Sequence, residues 1–588
     1  MRNHLTLDER LSRASLDGRV AFAAAAFALG AGLIVLLDRV GLPQSAAIVL
    51  GFILVTLTLS TIGLLMRSVR VSSFYAAGRK IPASYAGLAG AAILAAMMLI
   101  FLPPLPDGLG FEPLAWGIGA GIAGLLLVTA PVLRKSGSFS VSDFLSTRFP
   151  SLAFRLPIVA IVAILCGLTA FAGFEQAMRV VEATAGGGRL AAALLIGALL
   201  IAATVPGGIA GSIWTGAAAG AMAIAGMAFP LLLLASRGVD LPIPFSSDTA
   251  VWSRTAERLA DWTSAVPVDH SLLWLAAPIA LALAGFVPLL SNAIASRDGT
   301  GAQHTQVAMV SWLALLVCGL AITLAATALG LDLALAGQRP DRLADTFYRA
   351  SAEGWLKICG QFVDGPASAR TACAALPDFA AVLRPNDYAV QPSRLVFELA
   401  SVRGLGGAYC GLSAAGWFAV CVALASAGLQ GLSTALAHDF VHRVADPKAI
   451  TSRRLAITRL VLLVAIVGMA MAAIRDPVEP RALMVLALVL SAAVITPLML
   501  LSLWKRAGSL AATLALLAGL GGAGSVMLLT ASELVVRVGA ACLAGGAGAL
   551  ATGLAVSLLP RSGIAPGARF LDALWHGTGD ALNPDKGA

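Results

Sequence analysis

Apolar runs of about twenty residues recur along this chain between short polar connections, and that length lets an α-helix cross the roughly 30 Å hydrocarbon layer of a bilayer. The pattern predicts about fourteen such helices, over residues 20–37, 44–66, 84–105, 111–133, 155–177, 188–205, 208–235, 271–295, 306–337, 407–437, 455–474, 482–504, 508–530 and 534–559. The predicted fold class is an all-α polytopic membrane protein. Two longer polar stretches interrupt the series, Arg237 to His270 and Gln338 to Val402.

Charge sets the direction of the helices. Short connections on one side hold Arg67, Arg70, Arg79 and Lys80, then Arg134, Lys135, Arg148 and Arg155, then Arg443, Lys448, Arg453, Arg454 and Arg459, then Lys505 and Arg506. Those on the other side hold Asp107 and Glu112, or the balanced set Arg475, Asp476, Glu479 and Arg481. The positive-inside rule then places both termini in the cytoplasm, as an even number of crossings requires, with the chain integral to the plasma (inner) membrane.

Composition narrows the class. At 588 residues, 59% hydrophobic and 12% charged, the chain falls far from soluble domains, whose charged share is about a quarter. The net charge of +9 reads as orienting charge, with no nucleic-acid partner, because no basic cluster interleaves with aromatics. The polar start, with Arg2, Arg10, Arg13 and Arg19, does not read as a secretory signal, so the first helix is expected to be retained. The tail beyond Leu559 is expected to be too short for an appended enzyme domain.

Enzyme chemistry finds no support. The sequence contains no Gly-x-Ser-x-Gly, no phosphate loop and no paired carboxylates within a span. The seven cysteines lack Cys-x-x-Cys spacing, so neither a metal nor another cofactor is expected. Cys166, Cys318, Cys410, Cys421 and Cys542 read as buried inert thiols, whereas Cys359 and Cys373 share the second polar stretch and could form a disulfide in an oxidising compartment.

The stretch from Phe74 to Leu105 organises the rest. A basic, glycine-containing loop, Phe74-Tyr75-Ala76-Ala77-Gly78-Arg79-Lys80, feeds an apolar helix that ends at Pro103-Pro104-Leu105-Pro106. That loop and the following Gly87-Leu88-Ala89 resemble the entry to the first core helix of the sodium/solute symporter family, closest to its acetate permease branch. Val141 to Phe149, Gly207-Gly208 with Trp214, and Ser433 to Asp439 followed by Arg453 and Arg454 resemble later motifs of that family, in the same order.

The resemblance implies a LeuT-type core of two inverted five-helix repeats, working by alternating access. It implies this division: 1–70, a cytoplasmic N-terminus with two extra helices; 71–506, the core, with outer loops 237–270 and 338–402; 507–560, two further helices; and 561–588, a cytoplasmic tail. It also implies a sodium site between the first and eighth core helices, built from carbonyls at a break in the first and hydroxyls on the eighth. In register with those motifs, the ion-site positions are Ala91, Ile93, Leu94, Val420, Ala423 and Leu424, and none carries a side-chain oxygen. Hard cations need several oxygen ligands, so the coupling ion is expected to be a proton, or absent, instead of sodium.

Polar residues inside spans are candidates for solute contact. Glu175 and Gln176 close the third core helix, either at the outer water interface beside Arg179 or with Glu175 as a proton-coupling carboxylate in the cavity. Ser291 and Asn292 follow Pro288 on the sixth core helix, where they could line an unwound site or cap its end. Ser426, Gln430, Ser433 and Thr434 form one stripe on the eighth, lining a path or joining helices. His438-Asp439 is expected in cytoplasmic water, latching the inner end of that helix. The function expected is secondary active symport of a small organic solute, possibly a monocarboxylate such as acetate. The alternative is a non-transporting sensor or scaffold with the same fold.

Overall fold

A chain in hydrocarbon must satisfy its backbone N–H and C=O groups internally, and the apolar runs do so as helices. The computed structural model describes residues 7–102, 111–186, 188–237, 241, 248–253, 270–352, 354–376, 379, 381–384, 387–390, 392–531, 533–559 and 564–576.

The chain begins with α1 (Leu7–Val40), α2 (Gln44–Leu65) and the short α3 (Val71–Ala76). Five helices follow with one short connecting helix among them. They are α4 (Ala83–Phe101), α5 (Phe111–Gly124, a π turn Leu125–Thr129, and Ala130–Lys135), the connector α6 (Val141–Arg148), α7 (Leu152–Ala185), α8 (Arg189–Thr204) and α9 (Gly208–Ser236). A second group comprises α10 (Ala276–Ala284), α11 (Val287–Ile294) and α12 (Gly299–Leu335). Next come α13 (Asp345–Ala352), β1 (Leu356–Ile358), α14 (Pro366–Ala374), β2 (Tyr388–Val390) and α15 (Pro392–Val402). The chain continues with α16 (Gly407–Ser433 and a π segment Thr434–Ala445), α17 (Thr451–Arg475) and α18 (Pro480–Leu490, a π turn Ser491–Ile495, and Thr496–Ser502). It closes with α19 (Ser509–Leu529), α20 (Leu534–Leu558) and α21 (Ile564–His576).

Among the described residues, twelve helices are long and apolar enough to cross a membrane, and the bent pair α10–α11 makes thirteen. The chain is an integral membrane protein. The remaining predicted window, 188–205, holds the shorter α8, whose 16 residues span about 24 Å. Each of the fourteen windows therefore contains a helix.

The centre of the bundle is α16, in which an 18-residue stretch is buried throughout. Glycines let its neighbours approach to backbone contact. A Cβ added at Gly428 would lie 2.6 Å from Ala170 N of α7, and one at Gly173 would lie 2.6 Å from Ala425 N of α16. On the α9 side, a Cβ at Gly416 would lie 2.8 Å from Met222 O. Such close packing is how helices associate where apolar side chains gain nothing by leaving lipid. The added α1 also holds α16, because Asp38 Oδ2 accepts from Ala408 N (3.3 Å) at the positive end of that helix.

One expectation about the helices is corrected. The first core helix was expected to break and expose carbonyls, but α4 is continuous from Ala83 to Phe101, so its carbonyls near Ala91 to Leu94 lie within regular helix. Pro103 to Pro106 lie outside the described residues. The break falls instead between α10 and α11, which meet at 44° across Gly285 and Phe286. Pro288 has no N–H to offer Ala284 O, and Thr129 Oγ1 donates to that carbonyl at 2.8 Å. Ser491 and Thr496 of α18 donate to Ala282 O and Leu281 O, both at 2.6 Å. Hydroxyls from α5 and α18 thus satisfy the carbonyls that the break frees.

The segment before α16 is ordered over its described part. β1 and β2 pair antiparallel, Cys359 and Cys373 are joined by a disulfide, and Tyr388 Oη donates to Asp332 Oδ1 at 2.9 Å. Leu356, Ile358, Ala369 and Cys373 are buried in a small separate core. Most of the other long polar stretch, 237–270, lies outside the described residues. Among the helix cysteines Cys318 is exposed, a correction to the buried reading, because its position on α12 faces outward.

Candidate functional site

The candidate site lies where α4, α9, α11 and α16 converge. Gly216 on α9 removes the side chain that would separate them: a Cβ there would sit 3.2 Å from Ala89 Cβ and 3.7 Å from Ala423 Cβ. A cavity of about 10 Å³ remains, room for about one water. Ala89, Ile93, Ala423 and Ala427 give it an apolar wall, and Ser212 and Asn292 supply the polar side chains.

The hydroxyl hydrogens at this site can be followed. Ser426 Oγ donates to Ala423 O at 2.9 Å, which uses its only hydrogen. In the 3.0 Å contact between Ser212 Oγ and Ser426 Oγ, Ser212 is therefore the donor, and its lone pairs remain available. Asn292 sits on α11 just beyond the helix break, is 5% exposed, and its side-chain nitrogen has no hydrogen-bond partner. A buried N–H left unpaired costs about 1–3 kcal/mol.

The other polar residues singled out in the sequence are engaged elsewhere. Ser291 Oγ donates to Val287 O (3.0 Å) within its own helix. Gln430 Nε2 donates to Thr204 O (3.3 Å), tying α16 to the end of α8, while Ser433 and Thr434 both donate to Gln430 O. Glu175 is fully buried and pairs with Arg189 of α8 at 2.8 Å, and Arg189 also reaches Glu182 at 3.3 Å. Arg179, the expected neighbour of Glu175, pairs with Glu479 instead. Gln176 is also buried. Of the six ion-site positions, Ile93 and Ala423 border the cavity, while Ala91, Leu94, Val420 and Leu424 are buried in the protein core and do not line it.

Sequence reading missed Ser212. The available signal was a lone hydroxyl between the Gly207-Gly208 pair and Trp214 in an otherwise apolar run.

At the basic end of the bundle, the structure overturns the expectation that His438 and Asp439 lie in water: both are buried, at 0% and 2% exposure. Asp439 Oδ2 accepts from Ser140 and Ser142 at the start of α6, and Oδ1 faces His438 Nδ1 at 2.8 Å. Asp143 Oδ2 accepts from Phe139 N at 3.2 Å, and its Oδ1 pairs with Arg443 at 3.3 Å. The rings of Tyr75 and Phe139 pack on His438 at 5.1 and 5.3 Å. Burial pushes the Tyr75 phenol up to about 12.

Asp143, His438 and Asp439 could by proximity offer three ligand atoms within 4.8 Å. All four carboxylate oxygens already face protein donors, while His438 Nε2 is buried without a hydrogen-bond partner, so the carboxylates of this group are committed to the protein. At its far end, α6 is held by Arg148, which donates to Ser502 O (3.0 Å) and Trp504 O (2.9 Å) at the end of α18. One short helix thus links the ends of α16 and α18.

No family model matches this chain. An uncharacterized symporter of Cupriavidus necator is 30% identical over 148 residues, which cover 24% of this chain and 21% of that protein. The match therefore spans about a fifth of the curated relative's length. Among solved structures, the substrate-bound, outward-open state of a Na+-coupled sialic acid symporter superposes with a TM-score of 0.65 at 16% identity, covering 88% of this chain and 98% of that one. The fold is LeuT-type. In a LeuT-type core, α4, α5, α7, α8 and α9 form one five-helix repeat, and α10–α11, α12, α16, α17 and α18 form the inverted second. The broken α10–α11 and the continuous α4 then open the two repeats, and the cavity lies between them.

Proposed function

We propose that this chain is a secondary active transporter of a small organic solute, working by alternating access with both termini in the cytoplasm. The observation that carries this reading is the helix break itself: α10 and α11 meet at 44°, and Asn292, just beyond the bend, is buried on the wall of a cavity between the two repeats. Broken helices at mid-membrane are where transporters of this architecture place their sites. The present space holds about one water, so solute enters when the helices stand further apart. A monocarboxylate such as acetate is the solute class that the sequence resemblance names.

Proton coupling, or none, is the reading for the ion. Aliphatic side chains occupy all six positions where a sodium site would be sought, and α4 keeps its carbonyls in regular helix. Uptake by reconstituted protein, with sodium and proton gradients imposed separately, tests both parts. Saturable uptake driven by the proton gradient or by solute alone is expected. Strong uptake driven only by sodium would remove the coupling reading. The same six aliphatic positions favour a second reading, a sensor or scaffold without transport, and any saturable flux by the purified chain counts against it.

A further inference from the structure

We infer that α21 is an autoinhibitory clamp: docked across α6, it holds the basic end of the bundle closed, and its release opens the path there and speeds transport. The effect on transport rests on the transporter reading, whereas the closure itself rests on packing at α6. α21 follows both five-helix repeats in the chain and meets the bundle along a single stripe. Gly567, Phe570, Leu571 and Leu574 recur at three- and four-residue spacing and are buried, while Arg569 and Asp572 on the other side are exposed. Three apolar side chains make a small attachment, and elements with few buried apolar contacts are those that open locally while the rest stays folded.

Under the stripe lies the closure. Ser142 of α6 donates to Asp439 of α16. Phe144 follows two positions on, about 200° around the helix, and packs on Phe570 with ring centroids 5.9 Å apart. Every residue from Val141 to Ser146 is buried, although Ser142, Asp143 and Ser146 are polar. Arg148, which fastens α6 to Ser502 O and Trp504 O at the end of α18, has its guanidinium 5.4 Å from the Phe570 ring centroid. Without that ring, water would compete for the same two carbonyls. Gly567 sits so close to this junction that an added Cβ would overlap Lys505 O and lie 3.0 Å from Arg148 Nη2. At the last turn of α21, Lys135 of α5 lies 4.5 Å over the Trp575 ring. One 13-residue helix is thus fastened to α5 and α6 in the first repeat and to the end of α18 in the second. Alternating access moves such units against one another, and a helix fastened to both resists that movement while it stays docked.

Accessibility in the full chain tests this, with the exposed Cys318 replaced by serine. Leu571→Cys reports docking, and Ala427→Cys, on the cavity wall, reports opening. Each is labelled, in separate chains, by an impermeant thiol reagent added on the side of α6. Gly567→Ala is the smallest undocking change, because its methyl group meets backbone while alanine favours the helix itself. Leu574→Asp puts a carboxylate into the apolar stripe. Both are expected to raise labelling at positions 571 and 427 severalfold, and the initial uptake of radiolabelled acetate severalfold, with a cooperative melt retained. Gly468→Ala, where an added Cβ meets nothing within 4 Å, is expected to change none of these. Faster labelling at position 571 with none at 427 would overturn the inference. So would a position 571 that stays protected in the Leu574→Asp chain, or the loss of a cooperative melt, since α21 would then be a fixed part of the fold. Acetate uptake that is present but no faster overturns the inhibition. Labelling as expected, with no acetate uptake in parent or variant, removes the acetate reading and leaves the closure standing.

Discussion

Ser142, near the start of the connector α6, donates its hydroxyl hydrogen to the carboxylate of Asp439 at the far end of α16, across 297 positions of sequence. Ser140 donates to the same oxygen, so one buried carboxylate holds the connector against the central helix. In the alternating-access reading this contact closes the cytoplasmic end of the path.

Asp439→Ala is expected to open that closure. The substitution leaves two buried hydroxyls and His438 without their acceptor, at a cost of about 1–3 kcal/mol. A cysteine placed at Ala427 should then label faster with an impermeant thiol reagent from the cytoplasmic side. Unchanged labelling, with an unchanged melting temperature, would show that Asp439 does not hold the end closed.

Glu175→Gln separates two roles for that carboxylate. Its partner Arg189 keeps Glu182, so the expected loss is structural, about 1–3 kcal/mol in detergent melts. The dependence of uptake on an imposed proton gradient should stay as in the parent. Loss of proton-driven uptake in a folded variant would instead make Glu175 the proton carrier.

Pro288→Ala tests the helix break. Alanine restores the N–H that Ala284 O lacks, which favours a helix running from α10 into α11. Uptake should fall severalfold while the melting temperature holds or rises. Full uptake would mean that the 44° bend is dispensable.

Gly428→Ala tests the packing of α16. Its new methyl group would meet Ala170 N at 2.6 Å, a backbone atom that no rotamer change can move aside. A loss of about 1–3 kcal/mol is expected, read as a lower melting temperature.

Tyr75 makes stability fall in alkali. Its phenol titrates near 10 when unfolded and is pushed up to about 12 by burial when folded. The folded state therefore favours the neutral form, and the benefit is complete below about pH 10 and lost as pH rises through about 12. Two units amount to about 2–3 kcal/mol. Tyr75→Phe should flatten that part of the melting profile, and a variant that keeps the full alkaline decline would assign it to other groups.

The sequence by itself determined the class and the number of helices, because hydrocarbon thickness and backbone satisfaction act locally on each apolar run. The Phe74 to Arg79 loop and the Val141 to Phe149 connector were legible as motifs, since each is a contiguous stretch. Other features depended on which faces meet. That the carbonyls freed at the α10–α11 break are satisfied depends on Thr129, Ser491 and Thr496, which come from distant helices. That His438 and Asp439 are buried follows from α6 folding over them, which a position at the end of an apolar run could not reveal. Ser212 and Asn292 are 80 positions apart in sequence and share one cavity only because Gly216 lets α4 and α16 close around α9. Tertiary structure alone decided which polar side chains spend their hydrogen bonds on the protein.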